Sequence, residues 1–493
     1  MGLTFDPAAV ALPQGHFIDG AFIATAGSTE IQLFRPSDGI AFAACPIAGP
    51  ETVDRAMQSA ARARISSGWS KVRPRERVKV LHAWADLIDA HAEPLARIEA
   101  LSSTRPITQV REVDIPMATE QIRFFAEMAD KEGGALVPTA EDQMGMILTE
   151  PYGVVAAIAP WNFPLIMAAW KLGPALAAGN AVVIKPSEMT PHSTLFIADL
   201  AVRAGLPPGV LNVVLGDGAT TGVAMAGHPL AAKISFTGST RAGRAIMGNV
   251  AQNGIKPMTL ELGGKSPQVV FADADIELAA NCIARNIMGN AGQVCVAGSR
   301  LIVARSVAED LVGQLQTRMS GALAHPTWDE TSTYSPIIST LQIGRIDDIV
   351  TRTRTVGGEC LIGGGKMDCA GSYYQPTLIA GVDPASPAVR EEIFGPVLTI
   401  QTFDNGEDEA LSLAAHPEYG LAAGVFTRDL GRALRMTQAL PAGTLWVNRY
   451  GRSWDHILPT GGFGNSGLGK DLGRAAYRAN RREKSVLIDI GAS

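Results

Sequence analysis

The stretch AVVIKPSEMTPHSTLFIADLAVRAGLPPGVLNVVL, residues 181–215, decides the fold of this 493-residue chain. AVVIK (181–185) and LNVVL (211–215) are short, β-rich and almost wholly apolar, and the segment 190–204 between them has helical character. Strands that are apolar on both faces belong to a parallel sheet covered by helices. The stretch therefore predicts a strand–helix–strand unit of a parallel sheet.

The same alternation extends in both directions from this unit. VVAAIA (154–159) and KISF (233–236) are similar strands, with helical segments at 164–178 and 219–226. A second series comprises PQVVFA (267–272), helix 275–291, SRLIVA (299–304), helix 307–322 and strands near 397–403 and 422–427. We predict an α/β fold of two units, the first a doubly wound parallel sheet, with the break between them near 261–264.

A helical region and two isolated strands lie outside this pattern. Residues 50–132 carry charges interleaved with apolar residues at helical spacing. ILTEPYG (147–153) and SVLIDI (485–490) look like strands that belong to neither unit. Exposed apolar strands usually pair with something, often another subunit, so we expect a pairing role for both segments.

Composition and charge exclude several classes of protein. The chain has 46% hydrophobic and 18% charged residues, a net charge of −6 and no basic stripe. We therefore exclude disorder, and we expect neither nucleic acid nor an anionic membrane as a partner. The charge-free segment 151–170 contains two prolines and Asn162, which a membrane-spanning helix does not tolerate, so we expect a strand, a turn and a helix there.

The five cysteines are scattered and form no Cys-x-x-Cys pair and no Cys/His cluster. We therefore predict no metal site. An odd number of cysteines fits a reducing compartment and leaves one thiol free for chemistry, and the N-terminus lacks a secretory signal. Together these features predict a soluble, cytoplasmic protein.

Three residues have the chemistry of a catalytic site. Cys295 lies in NAGQVCVAGSR (290–300), a Gly-flanked turn between a helix and a strand, where nucleophiles are often held. Glu261 ends an apolar strand and can act as a general base, and Asn162 follows a strand end and can donate to a developing oxyanion. From the residues alone, the alternatives are a buried structural thiol, a surface or capping carboxylate, and an Asn that holds its own turn.

Two further strand ends have features of a nucleotide site. Lys185 and Glu188 follow AVVIK, at the edge where ligands of open α/β sheets gather, and they can hold ribose hydroxyls. GSTRAG (238–243) opens a helix whose amides can meet a phosphate. GDGATTG (216–222) has its third Gly one position late for a dinucleotide fingerprint. A salt-bridged surface turn and ordinary strand–helix turns are equal alternatives.

Six motifs occur in one order along the chain and together resemble the aldehyde dehydrogenase superfamily. They are PWNFP (160–164), KPSE (185–188), FTGST (236–240), ELGGKSP (261–267), GQVCVAGSR (292–300) and EEIFGPV (391–397). The resemblance covers nearly the whole chain, down to GGFGNSGLGKDLG (461–473). The chain looks most similar to the non-acylating, NAD-preferring group that includes betaine and other aminoaldehyde dehydrogenases.

The resemblance implies a role for each candidate. Cys295 matches the nucleophile that forms a thiohemiacetal and then a thioester, Asn162 and the Cys295 N–H match the oxyanion hole, and Glu261 matches the base for hydrolysis. The implied cofactor is NAD, with NADP as the alternative, because Glu188 would accept from both ribose hydroxyls and repel a 2′-phosphate. The implied cofactor contacts are Pro160, Trp161, Lys185, Glu188, Gly218, Gly238, Ser239, Leu262, Glu392 and Phe394.

The resemblance also implies a tunnel for the aldehyde, lined by Phe163, Ile166, Met167, Trp170, Met288, Gly289, Val294 and Val296. Gly289 stands where many relatives carry an aromatic residue, which predicts a wider tunnel. In the loop 448–462, Arg449 or Arg452 would meet a carboxylate or polar tail, or Trp454 and Trp170 would form an aromatic wall for a cationic or aryl aldehyde. The alternatives are arginines that are solvated or at a subunit contact, and a solvated loop histidine at position 456.

The implied organisation is an NAD-binding domain (1–127 and 152–261), a catalytic domain (262–470) and an oligomerisation arm (128–151 and 471–493) that joins a homodimer or homotetramer. The implied reaction is oxidation of a small-molecule aldehyde to its acid, with an aminoaldehyde, a semialdehyde or an aryl aldehyde as substrate. One alternative is a CoA-acylating enzyme, which generally lacks the base at Glu261. The other is a non-catalytic relative that only binds nucleotide.

Overall fold

The computed structural model describes residues 5–25, 29–452, 454 and 456–491. Its helices are α1 (Pro50–Ser66), α2 (Pro74–Ala90), α3 (Ala92–Ser102), α4 (Ile107–Gln109), α5 (Ile115–Met128), α6 (Pro164–Ala177), α7 (His192–Arg203), α8 (Val223–Gly227), α9 (Thr240–Asn253), α10 (Ile276–Met288), α11 (Arg305–Met319), α12 (Thr340–Thr355), α13 (Pro387–Arg390), α14 (Glu407–Ala414), α15 (Leu430–Ala439) and α16 (Gly473–Ala479). Its strands are β1 (His16–Ile18), β2 (Ala21–Ile23), β3 (Glu30–Phe34), β4 (Ala41–Pro46), β5 (Ala135–Val137), β6 (Gln143–Pro151), β7 (Val154–Ile158), β8 (Ala181–Lys185), β9 (Leu211–Val213), β10 (Lys233–Thr237), β11 (Met258–Glu261), β12 (Pro267–Val270), β13 (Arg300–Ala304), β14 (Glu359–Ile362), β15 (Thr377–Ala380), β16 (Val397–Phe403), β17 (Tyr419–Gly420), β18 (Ala422–Phe426), β19 (Thr444–Val447), β20 (Phe463–Gly464), β21 (Gly467–Leu468) and β22 (Arg481–Asp489).

The first sheet is built around parallel strands covered by helices on both faces. Its order is β2-β1-β9-β8-β7-β10-β11-β21, with β9, β8, β7, β10 and β11 parallel, and the pairings β2–β1, β1–β9 and β11–β21 are antiparallel. Val155 and Ala157 of β7 join the core formed with α2, α5, α6 and α7. Val154, Ala156 and Ile158 join the core on the opposite face, formed with α1 and α9. The predicted doubly wound sheet is confirmed.

The second sheet has the order β14-β15-β16-β13-β12-β18-β19 and is parallel except at its edge strand β14. Val270 and Leu301 face one core, and Val269 and Ile302 face the other. Because both faces are again covered, the predicted second α/β unit is confirmed, with β12 beginning shortly after β11 ends.

The two isolated strands pair with each other. β22 runs antiparallel to β6 over nine residue pairs, from Arg481 opposite Pro151 to Asp489 opposite Gln143, and β5 completes a three-stranded sheet. This sheet leaves large apolar side chains such as Leu136 (74% exposed) and Leu487 (61% exposed) on its surface. The two strands were expected to pair, and they pair with each other within the chain. An apolar face of their sheet remains exposed.

Two late segments pack on the first unit, although the predicted division assigns them elsewhere. β21 pairs with β11 at the edge of the first sheet. α16 contacts α6, and Tyr477 belongs to the same core as the helices of the first unit. The chain therefore returns to the first unit after completing the second.

Within the described part of the chain, no helix has the length and apolar character needed to cross a membrane. The charge-free segment 151–170 forms the end of β6, β7, a turn and the start of α6, as its prolines and Asn162 predicted.

Candidate functional site

Four neighbouring strands of the first sheet end at the same edge and carry the predicted site residues. β8, β7, β10 and β11 are adjacent, and their carboxyl ends lead to Lys185, Asn162, Gly238 and Glu261 respectively. In open α/β sheets, ligands bind outside this edge. The turn that carries Cys295, from the second unit, faces it.

A cavity of about 330 Å³ lies between the strand ends and this turn. It is lined by Arg105, Val113, Asp114, Met117, Pro160, Trp161, Asn162, Phe163, Ile166, Met167, Trp170, Thr237, Gly238, Ser239, Leu262, Gly263, Asn286, Val294, Cys295, Val296, Gln342, Arg345, Glu392, Phe394, Gly451 and Arg452. The structure thus brings together Cys295, Asn162 and most of the predicted cofactor and substrate residues.

The turn before Cys295 has an unusual backbone. Asn290 and Ala291 have φ values of 48° and 49°, and Gly292 has a φ of 69°. Left-handed conformations are costly for residues with a Cβ and persist only where the surroundings hold them. At Gly292 a Cβ would lie 2.1 Å from the Gly395 carbonyl oxygen, so only glycine fits.

Side chains that the sequence analysis did not single out hold this turn. Thr104 Oγ1 donates to Asn290 Oδ1 at 2.6 Å, and Asn290 Nδ2 donates to the Asn162 carbonyl at 2.9 Å. Gln293 Nε2 donates to the carbonyls of Asn290 and Pro336, each at 2.9 Å. Gln293 stands two residues before Cys295 in the GQVC motif. This proximity to the candidate nucleophile is the sequence feature that could have indicated that Gln293 holds the turn.

The predicted nucleophile is reachable from the cavity, but its thiol is in an environment of low polarity. Cys295 is partly exposed, and burial raises the pKa of its thiol to about 11. The positive charge of Arg452 lowers this pKa, whereas the negative charges of Glu261 and Glu392 raise it. Within the described residues, the Cys295 N–H donates to no acceptor.

Asn162 lines the same cavity as this thiol. Its Nδ2 donates to the Gln293 carbonyl at 2.9 Å, which fixes the amide plane. An amide nitrogen carries two N–H groups, so one remains to donate to a ligand. The amide and the free Cys295 N–H have the composition of an oxyanion hole.

Glu261 lies behind the cavity wall, and its neighbour Leu262 lines the cavity. The carboxyl group is buried, and its Oε1 has no hydrogen-bond partner among the residues that the structure describes. The pKa of Glu261 is raised to about 8, because burial and then the negative charge of Asp471 raise it by more than the positive charges of Lys171 and Arg452 lower it. A carboxyl group with such a pKa changes its protonation state near neutral pH.

Lys171 and Asp471 form a buried ion pair behind Glu261. Lys171 Nζ lies 2.6 Å from Asp471 Oδ2, and both side chains are buried. The ion pair joins α6 to the segment just before α16, and these two segments are distant in sequence. Neither residue was singled out from the sequence, since nothing in their spacing relates them.

We predict that Asp471→Asn lowers the stability of the protein. The substitution leaves the Lys171 ammonium buried without its carboxylate, which typically costs about 3–5 kcal/mol. A fall in the thermal unfolding midpoint measures the effect. Asp404→Asn, which breaks the exposed pair with Arg305, is the control and should change the midpoint little. Equal shifts of the thermal midpoint in both variants would contradict the conclusion that the buried Lys171–Asp471 pair matters for stability.

The cofactor candidates fit a dinucleotide. Ser239 caps α9 and lies exposed at its N-terminus, where a helix can bind phosphate. Lys185 and Glu188 are 3.2 Å apart at the end of β8, and the Glu188 side chain is about one-third exposed, so it can accept from hydroxyls. At the other end, the rings of Trp161 and Phe394 meet edge to face at 5.3 Å.

The remaining cofactor candidates differ in position. Glu392 lines the cavity and accepts from the Gly264 N–H at 3.0 Å. Lys185 already donates to the carbonyls of Pro186 and Gly216 as well as to Glu188. Gly218 lies exposed in a π turn, outside the cavity lining.

The substrate candidates divide into two groups. Phe163, Ile166, Met167, Trp170, Val294 and Val296 line the cavity. Met288, Gly289, Arg449 and Trp454 do not, so the structure places these four candidates outside the cavity lining. Arg449 is exposed, and Trp454 is 51% exposed because the loop directs both away from the cavity.

Of the two arginines expected to meet a substrate tail, Arg452 is the one at the cavity. It lines the cavity, and its guanidinium carbon lies 5.1 Å from the centroid of the Trp170 ring. His456 is 5% exposed, so the interpretation as a solvated loop histidine is wrong.

The aldehyde dehydrogenase family model matches residues 22–486, and the chain belongs to this family. It is therefore an oxidoreductase, as the six ordered motifs predicted. The match covers the second α/β unit, all of the first except β1 and the start of β2, and the three-stranded sheet except the end of β22.

Individual relatives agree over nearly the full length. The NADP/NAD-dependent aldehyde dehydrogenase PuuC of Escherichia coli K12 is 40% identical over 98% of this chain and 97% of its own. The indole-3-acetaldehyde dehydrogenase AldA of P. syringae, solved as a mutant with NAD+ and IAA, has a TM-score of 0.95 at 38% identity, covering 98% of both chains. The gamma-glutamyl-gamma-aminobutyraldehyde dehydrogenase of Burkholderia cenocepacia J2315 has a TM-score of 0.95 at 39% identity, covering 98% of both chains.

Proposed function

We propose that this protein oxidises an aldehyde to the carboxylic acid with NAD, through a thioester on Cys295. The observation that carries this proposal is the shared cavity: the Cys295 thiol and the Asn162 amide line the same space as the Ser239 turn and Glu392. A nucleophile, an oxyanion donor and a dinucleotide site therefore open onto one substrate position.

In the first half-reaction, Cys295 loses its proton to solvent and the thiolate attacks the aldehyde carbon. The carbonyl oxygen gains the negative charge, and the Asn162 amide and the Cys295 N–H donate to it. Bound NAD would supply the hydride acceptor, and loss of the hydride from the carbon would leave a thioester on Cys295. Arg452 assists because its positive charge favours the thiolate.

In the second half-reaction, the Glu261 carboxylate takes a proton from water as the water oxygen attacks the thioester carbon. The carbon–sulfur bond breaks, the acid leaves and the Cys295 thiolate is released. The raised pKa of Glu261 supports this role, because a base with a pKa of about 8 accepts a proton more readily than an ordinary carboxylate does.

The dinucleotide would be held along the strand ends. Lys185 and Glu188 would bind the adenosine ribose, and Gly238 and Ser239 would face the pyrophosphate. Trp161, Leu262, Glu392 and Phe394 would surround the nicotinamide end.

The test is an aldehyde panel assayed for NADH formation, with the acid identified as product. Free acid without added CoA supports hydrolysis of the thioester, whereas acyl-CoA formed only with CoA would favour the acylating alternative. A protein that binds NAD but oxidises no aldehyde would contradict the proposal and favour the non-catalytic alternative.

We predict that Glu188→Ser reduces the preference for NAD over NADP by about tenfold or more. The variant loses an acceptor for the ribose hydroxyls and the negative charge that repels a 2′-phosphate. The ratio of kcat/KM for NAD to that for NADP, with one aldehyde, measures the effect. An unchanged ratio would contradict the placement of the ribose beside Glu188.

We also propose the division into an NAD-binding domain, a catalytic domain and an oligomerisation arm. The two parallel sheets support the first two, and the three-stranded sheet with its exposed leucines supports an arm that contacts a second copy of the chain in a homodimer or homotetramer. A cytoplasmic location is supported by the five cysteines, all of which are free.

A further inference from the structure

We propose that Arg452 binds a carboxylate of the substrate, so that the aldehyde taken by this cavity is an oxo acid. This inference rests on the proposed function and names its substrate class. Some charged groups of the cavity are paired within the chain, and others remain available to a ligand.

Arg452 is the cavity arginine whose charge is available to a substrate. Three arginines line the cavity among the described residues. Arg105 donates to both oxygens of Asp114, at 2.7 and 2.9 Å, and is neutralised there. Arg345 is exposed and donates to the Glu392 carbonyl at the cofactor end. No carboxylate in the described part of the chain lies within 4.0 Å of the Arg452 guanidinium, which is only partly exposed.

The carboxylates in its vicinity, Glu261 and Asp471, act on Arg452 through their charge but form no ion pair with it. Asp471 is occupied by Lys171 at 2.6 Å. The pKa of Glu261 is raised to about 8, chiefly by burial, so its negative charge near neutral pH is weaker than that of an ordinary carboxylate. A partly buried guanidinium in such a field favours an anion, and it presents paired N–H groups that match a carboxylate.

The guanidinium is also held in place on the substrate side. It lies over the Trp170 ring at 5.1 Å, and its Nη2 donates to Thr460 Oγ1. Ring stacking fixes the plane of a guanidinium and reduces the entropy lost on binding. Phe163, Met167 and Val296 line the same cavity as Arg452 and Cys295 and make part of its wall apolar. The cavity therefore fits an apolar chain with an aldehyde at one end and a carboxylate at the other.

The experiment compares substrates of equal length that differ in the tail. We expect a higher kcat/KM for 4-oxobutanoate than for butanal, and for 5-oxopentanoate than for pentanal. Arg452→Gln should lower kcat/KM for the better oxo acid, mainly through KM, by about 10- to 150-fold more than for the neutral aldehyde, whose smaller loss reports the effect of the Arg452 charge on the thiolate. Arg452→Lys keeps the charge but loses the paired N–H groups. Its kcat/KM for the oxo acid should lie between those of the wild type and Arg452→Gln.

Arg449→Gln is the matched control, because Arg449 lies three residues earlier in the same loop but is exposed outside the cavity. It should leave both substrates unaffected. An equal loss for oxo acid and neutral aldehyde in Arg452→Gln would overturn the proposal and assign Arg452 to thiolate stabilisation alone. A wild-type preference for butanal or for 4-aminobutanal over 4-oxobutanoate would overturn it as well.

A binding measurement separates this proposal from the proposed function. Titration calorimetry of the Cys295→Ala protein with succinate and glutarate, which cannot react, should show binding that Arg452→Gln abolishes at an unchanged thermal midpoint. If the dicarboxylates bind but the wild type oxidises no aldehyde, Arg452 is an anion site and the proposed function is wrong. Oxidation of neutral aldehydes without dicarboxylate binding would retain the function and reject the Arg452 proposal.

Discussion

Replacing Cys295 with alanine is expected to abolish aldehyde-dependent NADH formation, by roughly 10⁴-fold or more. The reaction proposed above passes through two species bonded to this sulfur, and no other described cysteine lines the cavity. The pKa of the thiol, raised to about 11, also makes the attacking thiolate scarce at neutral pH, so the rate of NADH formation in the wild type should rise with pH. Stopped-flow absorbance of NADH measures both effects.

Cys369→Ala is the matched control for this prediction. Cys369 is an exposed thiol on the second unit, outside the cavity lining, and its removal should leave the rate unchanged. NAD binding to Cys295→Ala should persist, because the ribose and pyrophosphate positions do not involve the thiol. Retained activity in Cys295→Ala would refute the thioester mechanism, and lost NAD binding would indicate a damaged fold.

Glu261→Gln is expected to separate the two half-reactions. The variant should form about one equivalent of NADH per active site in a rapid burst and then turn over about 10²- to 10⁴-fold more slowly than the wild type. The burst is retained because hydride transfer precedes the step that needs the base. The slow phase follows because the amide cannot accept the proton of the attacking water.

The pH profile supplies an independent check on Glu261. Its pKa is raised to about 8, and the base must be deprotonated, so the wild-type hydrolysis rate should increase from pH 7 to 9 and level off above. This inflection should disappear in Glu261→Gln. Hydroxylamine, which cleaves thioesters without a base, should restore turnover of the variant. If Glu261→Gln shows no NADH burst, Glu261 is needed for hydride transfer or for a stable fold instead.

The strand pattern and the chemistry at strand ends could be predicted from local sequence. Strands such as Val154–Ile158 and Ala181–Lys185 are apolar on both faces, and that property alone implies a covered parallel sheet. Since parallel strands end at one edge, the residues following them were expected together, and Asn162 and Gly238 do line one cavity. The two isolated strands were also found, although their mutual pairing was not.

Residues that act through contacts distant in sequence could not be predicted in this way. Lys171 and Asp471 are 300 positions apart and meet only because the chain returns to the first unit after the second. Asn290 and Thr104 are 186 positions apart and hold the cysteine turn. No periodicity or spacing relates such residues, because their proximity is set by the packing of whole elements.

The sequence by itself determined the two α/β units, the family and the residue types at the strand ends, since these follow from local polarity and motif order. Only the tertiary structure decided between Arg449 and Arg452, which lie three positions apart in one loop. Packing of the Arg452 guanidinium on Trp170 directs it into the cavity, whereas Arg449 remains in solvent. A loop has no repeating geometry from which the direction of a side chain follows, so the surrounding core has to set it.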